Sequence, residues 1–248
     1  MNYRLQTFTA LILLLATACQ PMQSAERKSS SSTAPSGSVC SDDLDRRGAP
    51  PGDEGISVFR LFRTYPPQPG EAGDGALSPG ELILKAPELQ ISAACRADAV
   101  RNMRAHIGHY STESIMAQAR PLLVRRTANR YLLGLLHPDF VEGDGEGSEL
   151  AVSFVIYDTT GRYVGVVPHA SSWRTYEGTE LIQEACVADQ GITTRKIVVY
   201  PETQDRSGRV IRYEKPEVQG LAFYPTTGEM PSAVKFDCAS FPPRAFTP

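Results

Sequence analysis

Residues 149–167, "ELAVSFVIYDTTGRYVGVV", decide the fold class. Val, Ile, Phe and Tyr fill both halves, and Thr159-Thr160-Gly161 between them is turn chemistry. The stretch reads as two strands and a tight turn. The pattern recurs on both sides. "PLLVRR" (121–126) and "RYLLGLLH" (130–137) flank Thr127-Ala128-Asn129. "ITTRKIVVY" (192–200) and "GRVIRYE" (208–214) flank "PETQDRS". "VQGLAFY" (218–224) precedes "PTTGEMPS", and "AVKF" (233–236) follows as a last strand. Three of these strands end at Tyr157, Tyr200 and Tyr224 and then turn through Thr, Ser or Gly. The fold class is therefore α+β, mainly β: an antiparallel β-meander, rich in hairpins, with one to three short helices.

The remaining segments are read by period. "ISVFRLFRTY" (56–65) places Ile56, Val58 and Arg60 on one face of a strand and Phe59, Leu61 and Arg63 on the other. "ELILKAPELQISA" (81–93) is a strand broken at Pro87. Residues 95–107 form a helix with Val100, Met103 and Ile107 on one side, closed by Gly108. Ser111 caps a second short helix that stops before Pro121. "GTELIQEACVADQG" (178–191) carries Leu181, Ala185 and Ala188 at helical spacing behind Thr179, and is read as a helix; paired strands are the other reading. The β-rich domain spans 56–240, as one unit or as subdomains of about 56–137 and 149–240, with a Pro-containing tail at 241–248.

The chain has 248 residues, 41% of them hydrophobic, enough to fill one core. Its net charge of −3 gives no signal for nucleic acid. It has five cysteines: 19, 40, 95, 186 and 238. None sits in a CxxC-like cluster, so structural zinc is not indicated.

Residues 1–18 read as an export signal. Arg4 is the only charge ahead of an apolar or neutral run from Phe8 to Ala18. As a helix that run rises about 16 Å, roughly half a bilayer core, too short to span. Ala16-Thr17-Ala18 is an A-x-A cleavage site. Leu15-Ala16-Thr17-Ala18-Cys19 also resembles the lipobox of bacterial lipoproteins, departing from it at Ala16, where that class prefers Leu. The resemblance covers the first 20 residues or so. It implies a diacylglycerated Cys19, cleavage before it and an acylated new amine. Gln20 in place of Asp then points to the outer membrane. Cysteine parity agrees, because lipidation of Cys19 leaves four thiols, an even set for an oxidising compartment. Three pairings of those four are possible; Cys40–Cys95 and Cys186–Cys238 join sequence neighbours and are favoured. Residues 19–55 read as a tether and lead-in loop, with "SSSST" at 29–33 and Pro and Gly near 50.

Catalytic motifs are sparse. His106-Ile107-Gly108-His109 is an H-x-x-H without the Glu of a zincin, and it crosses the glycine that ends the helix. No G-x-S-x-G occurs. Ser232-Ala233-Val234-Lys235 matches S-x-x-K without its K-T-G and S-D-N partners. "EGDGEGSE" (142–149) alternates acids with glycine but fails the spacing of a calcium loop, and reads as a solvated hairpin tip. No metal or cofactor is expected.

The one charge anomaly is basic. Residues 96–130 hold seven arginines against Asp98 and Glu113. If Arg101, Arg104, Arg125, Arg126 and Arg130 share a face, they form a patch for an anionic envelope component or an acidic protein. Solvated faces of two helices and a strand are the plainer account. The sequence thus points to a lipid-anchored, periplasm-facing binding or inhibitory module without recognisable catalysis. A tethered envelope hydrolase is the alternative, distinguished by a pocket converging on His, Asp or Glu.

Overall fold

The computed structural model describes residues 38–51, 55–62, 65–69, 79–107, 118–139, 149–174, 178–226 and 230–238. Strands β2 (Arg120–Arg126), β3 (Arg130–Asp139), β4 (Glu149–Asp158), β5 (Tyr163–Arg174), β6 (Glu180–Ala188) and β7 (Gly191–Val199) follow one another as an antiparallel meander. β8 (Pro201–Gln204) and β9 (Val210–Tyr213) form a separate hairpin. β10 (Glu217–Pro225) then returns to pair with β7 at the sheet edge. The fold is mainly β with four short helices among the described residues, and one continuous sheet runs across both stretches that the sequence suggests as subdomains.

The turn at 158–162 forms as its residues dictate. The Asp158 carboxylate accepts hydrogen bonds from the Thr160 backbone and hydroxyl and from the Arg162 backbone, and Gly161 takes φ 78°. Asp205, Ser207, Gly208 and Arg209 repeat this geometry at the tip of the β8–β9 hairpin. The D-x-[ST]-G-R pattern is therefore a turn module used twice.

Helices cover both faces of the sheet. On one face, α1 (Ser41–Arg47) and α4 (Ala93–Ile107) bring Leu44, Ala99 and Met103 against Tyr131, Leu133, Leu135, Val155 and Tyr157. On the other, α2 (Val58–Phe62) and α3 (Pro79–Lys85) bring Leu61, Phe62 and Ile83 against Leu132, Leu136, Val152, Phe154 and Ile156. Alternate residues of β3 and β4 go to opposite cores, which explains their nearly unbroken apolar runs. Polar clamps fix the outer helices. The Tyr157 hydroxyl donates to Asp98 of α4 (3.2 Å), and the Tyr131 hydroxyl donates to Asp45 of α1. Ser92 caps α4 by accepting from the Cys95 N–H (3.2 Å), while its own N–H donates to Asp43 (2.9 Å).

The sheet curls on its inner face. Leu122 and Leu123 of β2 share one core with Ile56 and with Ala185 and Val187 of β6. One stretch of chain touches both sides of the curl. Ala49 bridges Arg125 at the β2 edge, and β1 (Gly55–Ser57) pairs with Cys186, Ala185 and Glu184 of β6.

Several sequence expectations are corrected. Residues 56–65 are not one strand. Extended structure ends at Ser57, whose hydroxyl accepts the Arg60 N–H (3.3 Å) and opens α2. Residues 81–85 are helical rather than extended, with Glu81 in the first turn, Lys85 in the last, and Pro87 stopping the helix. The 178–191 segment is the paired-strand alternative, because β1, β5 and β7 all hydrogen-bond to β6 and override its helical spacing. β7 pairs with β6 and β10 rather than with 208–214. Residues 233–236 form no strand. The lead-in region contains α1, whose single buried apolar residue, Leu44, shows no stripe in sequence. The second helix near Ser111 and the tail at 241–248 lie outside the described residues.

Both expected disulfides are present, Cys40–Cys95 and Cys186–Cys238. They join positions 55 and 52 residues apart. In the chain-entropy model, loops of that length contribute about 4 kcal/mol each. Replacing either pair with alanines should lower urea-unfolding stability by about that amount. A change below about 1 kcal/mol would show that the unfolded chain gains little freedom when the bridge is lost.

Candidate functional site

The richest polar cluster lies on β6 and β7, on the face away from the curled core. Strand alternation puts Glu180, Ile182, Glu184 and Cys186 on this face, across from Thr193, Arg195, Ile197 and Val199. Ile182, Ile197 and Val199 form a small core with Phe59, Tyr65 and Tyr213. Glu184 sits at its rim with 0% of its side chain exposed.

A carboxylate buried to that degree needs cationic partners. Arg60 supplies one, with Nε donating to Oε1 at 2.8 Å. Arg195 supplies the other, with Nε at 2.7 Å and Nη2 at 2.6 Å from Oε2. Local structure delivers both. β1 pairs Ser57 opposite Glu184, and one turn of α2 carries Arg60 back over that carboxylate. Arg195 is the cross-strand partner of Glu184 in β7. An aromatic ring covers each guanidinium: Tyr65 lies 3.8 Å below Arg60, and Phe236 lies 4.2 Å from Arg195. The Cys186–Cys238 bridge anchors the segment that carries Phe236. Arg60 and Arg195 remain 23% and 24% exposed. Burial raises the Tyr65 hydroxyl pKa above its ordinary value; Glu184 adds to this, while Arg60 and Arg195 oppose it. Further along the same face, the Tyr213 hydroxyl donates to buried Glu180 (3.2 Å).

A second polar pair lies inside the α4 face. His137 Nε2 and Ser153 Oγ are 2.9 Å apart, and His137 Nδ1 is 2.8 Å from the Pro138 carbonyl. The carbonyl can only accept, so Nδ1 carries the proton and Nε2 accepts from the serine hydroxyl. The side chains are 2% and 1% exposed, as expected of a satisfied polar pair in a core.

The arginines singled out by sequence are spread. Arg101 pairs with Asp98 within α4, and Arg104 lies in the last turn of that helix. Arg126 lies 4.0 Å from Asp45 and 5.5 Å from the Tyr131 ring centre, on the α1 side of the sheet. Arg125, its strand neighbour, faces the opposite core side. Arg130 Nη1 donates to the Asn129 carbonyl (3.1 Å), and its Nε is buried with no partner. Arg96 and Arg120 both reach Glu88. Arg101 and Arg104 thus share a helix, and Arg125 stands apart from Arg126.

The remaining sequence candidates are dispersed or undescribed. His106 lies in the last turn of α4, whereas Cys19 and His109 lie outside the described residues, as does 142–148 of the acidic loop. Ser232 and Lys235 are exposed on an irregular segment, away from any helix start. No group of three His, Cys, Asp or Glu side chains suited to a metal occurs among the described residues. Sequence reasoning missed Arg60, Glu184, Arg195, Tyr65 and Phe236. The available signal was the alternation Glu180-Ile182-Glu184: the two acids, four apart, share a face of a helix or of a strand, and only a strand puts Ile182 on that face with them.

Comparison with family models, curated proteins and solved structures finds no match to this chain. The roles of these residues therefore rest on their geometry.

Two predictions follow from this chemistry. Glu184→Gln removes the charge that holds two guanidiniums together and should cost roughly 3–5 kcal/mol, read by urea denaturation; a loss under about 1 kcal/mol would mean the arginines find equal partners elsewhere. Asp158 and Asp205 titrate below the ordinary aspartate value, chiefly because the Thr160 and Ser207 side chains hydrogen-bond their charged forms. A depressed folded pKa gives stabilisation that is complete above the unfolded value, about 3.9, and lost as pH falls through the folded value. Carboxyl-carbon NMR should show both midpoints below 3.9, and midpoints at or above it would contradict the turn geometry.

Proposed function

We propose that this protein is a lipid-anchored, periplasm-facing envelope protein, probing or blocking an anionic partner as a binding or inhibitory module. The export signal ending at Cys19 supports the address, and Gln20 supports the outer membrane. The observation that carries the binding role is the Arg60–Glu184–Arg195 trio. Its guanidiniums are oriented in advance by a buried carboxylate and two rings, so little conformational freedom is lost when a ligand meets their exposed quarter. Guanidinium suits carboxylate or phosphate oxygens on such a partner. No nucleic acid is involved in this reading.

The hydrolase alternative draws on His137 and Ser153, which have the hydrogen bond of a base and a nucleophile. Their burial argues for a structural pair. Labelling of Ser153 by a fluorophosphonate probe would favour the enzyme.

Envelope fractions extracted in mild detergent supply the test. Full-length protein should retain a partner that salt releases, as expected of screened charges. Arg195→Gln keeps the Arg60–Glu184 contact and should weaken retention about tenfold, the scale of one charge-assisted hydrogen bond. Equal retention by this variant would remove the trio from the reading, whereas loss in an Arg101, Arg104 and Arg130 to Gln variant would shift the contact to the arginine-dense segment. Cys19→Ala should move the protein from the membrane pellet to the soluble periplasm; a wild-type protein already soluble, with a free mature amine, would end the anchor proposal.

A further inference from the structure

Strand β10 forms one edge of the sheet. It pairs with β7 on one side, and among the described residues no strand pairs with its other side. Register shows which backbone groups that edge presents. The Thr226 N–H donates to the Gln190 carbonyl (3.0 Å), so these two residues form a hydrogen-bonded pair. Alternation along the ladder then points the N–H and C=O groups of Tyr224, Ala222 and Gly220 at β7, across from Ile192, Thr194 and Lys196. Leu221, Phe223 and Pro225 turn theirs outward. Pro225 has no N–H to offer, and a bulge interrupts the ladder between Val218 and Gly220. The usable edge is therefore short and has defined ends, with a donor and an acceptor on Leu221 and the same on Phe223.

Natural sheets shield open edges with charge, lysine above all, or with proline. Positions 218–224 hold no charged side chain and no proline, and Val218 and Leu221 are 56% and 49% exposed. We propose that a second copy of this chain pairs here, β10 against β10 in antiparallel, with a two-fold axis at Ala222. The register selects this occupant. With the axis at Ala222, Leu221 of each copy lies opposite Phe223 of the other, and every outward N–H of these residues meets an outward carbonyl. An axis at Phe223 sets Leu221 against Pro225, which lacks a donor, and an axis at Leu221 sets Phe223 against the bulge. The side chains agree with the first arrangement. Leu221 and Phe223 share one face of β10, across from Arg195 and Thr193, so two apolar pairs form there. On the other face, Tyr224 of one copy lies opposite Gly220 of the other, where a Cβ would meet nothing within 4 Å. Without charge in 218–224, the two paired stretches bring no like charges together. Such a contact is smaller than a standard interface, so the dimer is weak, with a dissociation constant on the order of 0.1 mM. The pairing is independent of the anion-binding reading of the Arg60–Glu184–Arg195 trio.

The full chain carrying Cys19→Ala, which removes the cysteine outside the two bridges, supplies the test. Sedimentation equilibrium from about 10 μM to about 1 mM should show monomer and dimer in exchange. Leu221→Lys puts a charge into both apolar pairs, and Leu221→Pro removes an outward N–H without taking a bond from the β7 ladder. Each should weaken dimerisation at least tenfold, with urea unfolding confirming that the variant is folded. Single cysteines read the register. Partners in a non-hydrogen-bonded pair have Cα atoms about 4.5 Å apart, within the range of a disulfide, so Ala222→Cys should cross-link to itself with dissolved oxygen as oxidant. Gly220→Cys should not, because the same residue of the other copy lies four strand positions away, roughly 13 Å. A chain that stays monomeric across the concentration range and yields no Ala222→Cys dimer overturns the proposal. Gly220→Cys cross-linking as fast as Ala222→Cys overturns it too, since random collision then explains both. Dimers undiminished in both Leu221 variants place the contact elsewhere and reject the edge. A monomeric chain whose Ala222→Cys thiol captures an added cysteine-bearing extended peptide gives the edge to a foreign strand and rejects self-pairing.

Discussion

Strand β6 carries the constraint on which much of the remaining structure depends. It holds a carboxylate, Glu184, with no exposed side-chain surface. Removing such a charge from water costs several kcal/mol even after relaxation, and only close cations offset it. Arg195 comes automatically from register, since β7 places it across from Glu184. Arg60 comes from farther away and requires the chain to change structure at Ser57. A strand continuing through 56–65 would carry Arg60 past the carboxylate. Ending the strand and turning one helical step returns it, and the same step sends Phe59 to the small core and Leu61 to the large one.

That change of structure has a consequence for the sheet. β6 gives the first part of one edge to β5, through Glu180–Gln183, and the next part to β1, through Glu184–Cys186. The division separates β5 from β6 along part of their length and lets the sheet bend there. Ala49 meets the β2 edge, Gly55–Ser57 pair with β6, and Leu122 and Leu123 share a core with Val187. A partly open hollow of about 180 Å³, lined by Ile56, Leu61, Leu122, Leu123 and Val187, lies on this side of the sheet. The charge trio outside and the hollow inside are thus two results of one local decision at Ser57.

Legibility in sequence followed the range of the interactions. The hairpins β2–β3 and β4–β5 and helix α4 were readable, because turn residues, β-rich runs and a helical stripe are local signals. Of the three pairings open to Cys40, Cys95, Cys186 and Cys238, the favoured one between sequence neighbours is the one that forms. β6 was not readable by period, since Leu181, Ala185 and Ala188 mimic a helix while three neighbouring strands impose extension. α1 and α3 were missed because each is only seven residues long, too short for a periodic stripe to outweigh other patterns. The site suffered most. Arg60 and Glu184 are 124 residues apart, and their pairing exists only once β1 has found β6. The arginine-dense segment drew attention by composition, yet composition carries no information about which face a side chain takes. Arg125 and Arg126 demonstrate this: adjacent in sequence, they serve opposite sides of the sheet.

The two disulfides also bear on where a ligand could be held. Cys40–Cys95 ties α1 to α4 at the start of the described fold, and Cys186–Cys238 ties β6 to the last described segment. The second bridge lies two positions along the same strand from Glu184, on the same face. It therefore holds Phe236 over Arg195 without any strand ladder in that segment. A guanidinium on an unsupported side chain loses much rotamer freedom when it binds an anion. Arg195 has already lost that freedom to Glu184 and Phe236, and Arg60 to Glu184 and Tyr65. For recognition of an anion, a supported pair of guanidiniums loses less freedom than solvated ones do, and this is why the proposed binding role is placed on the β6–β7 face.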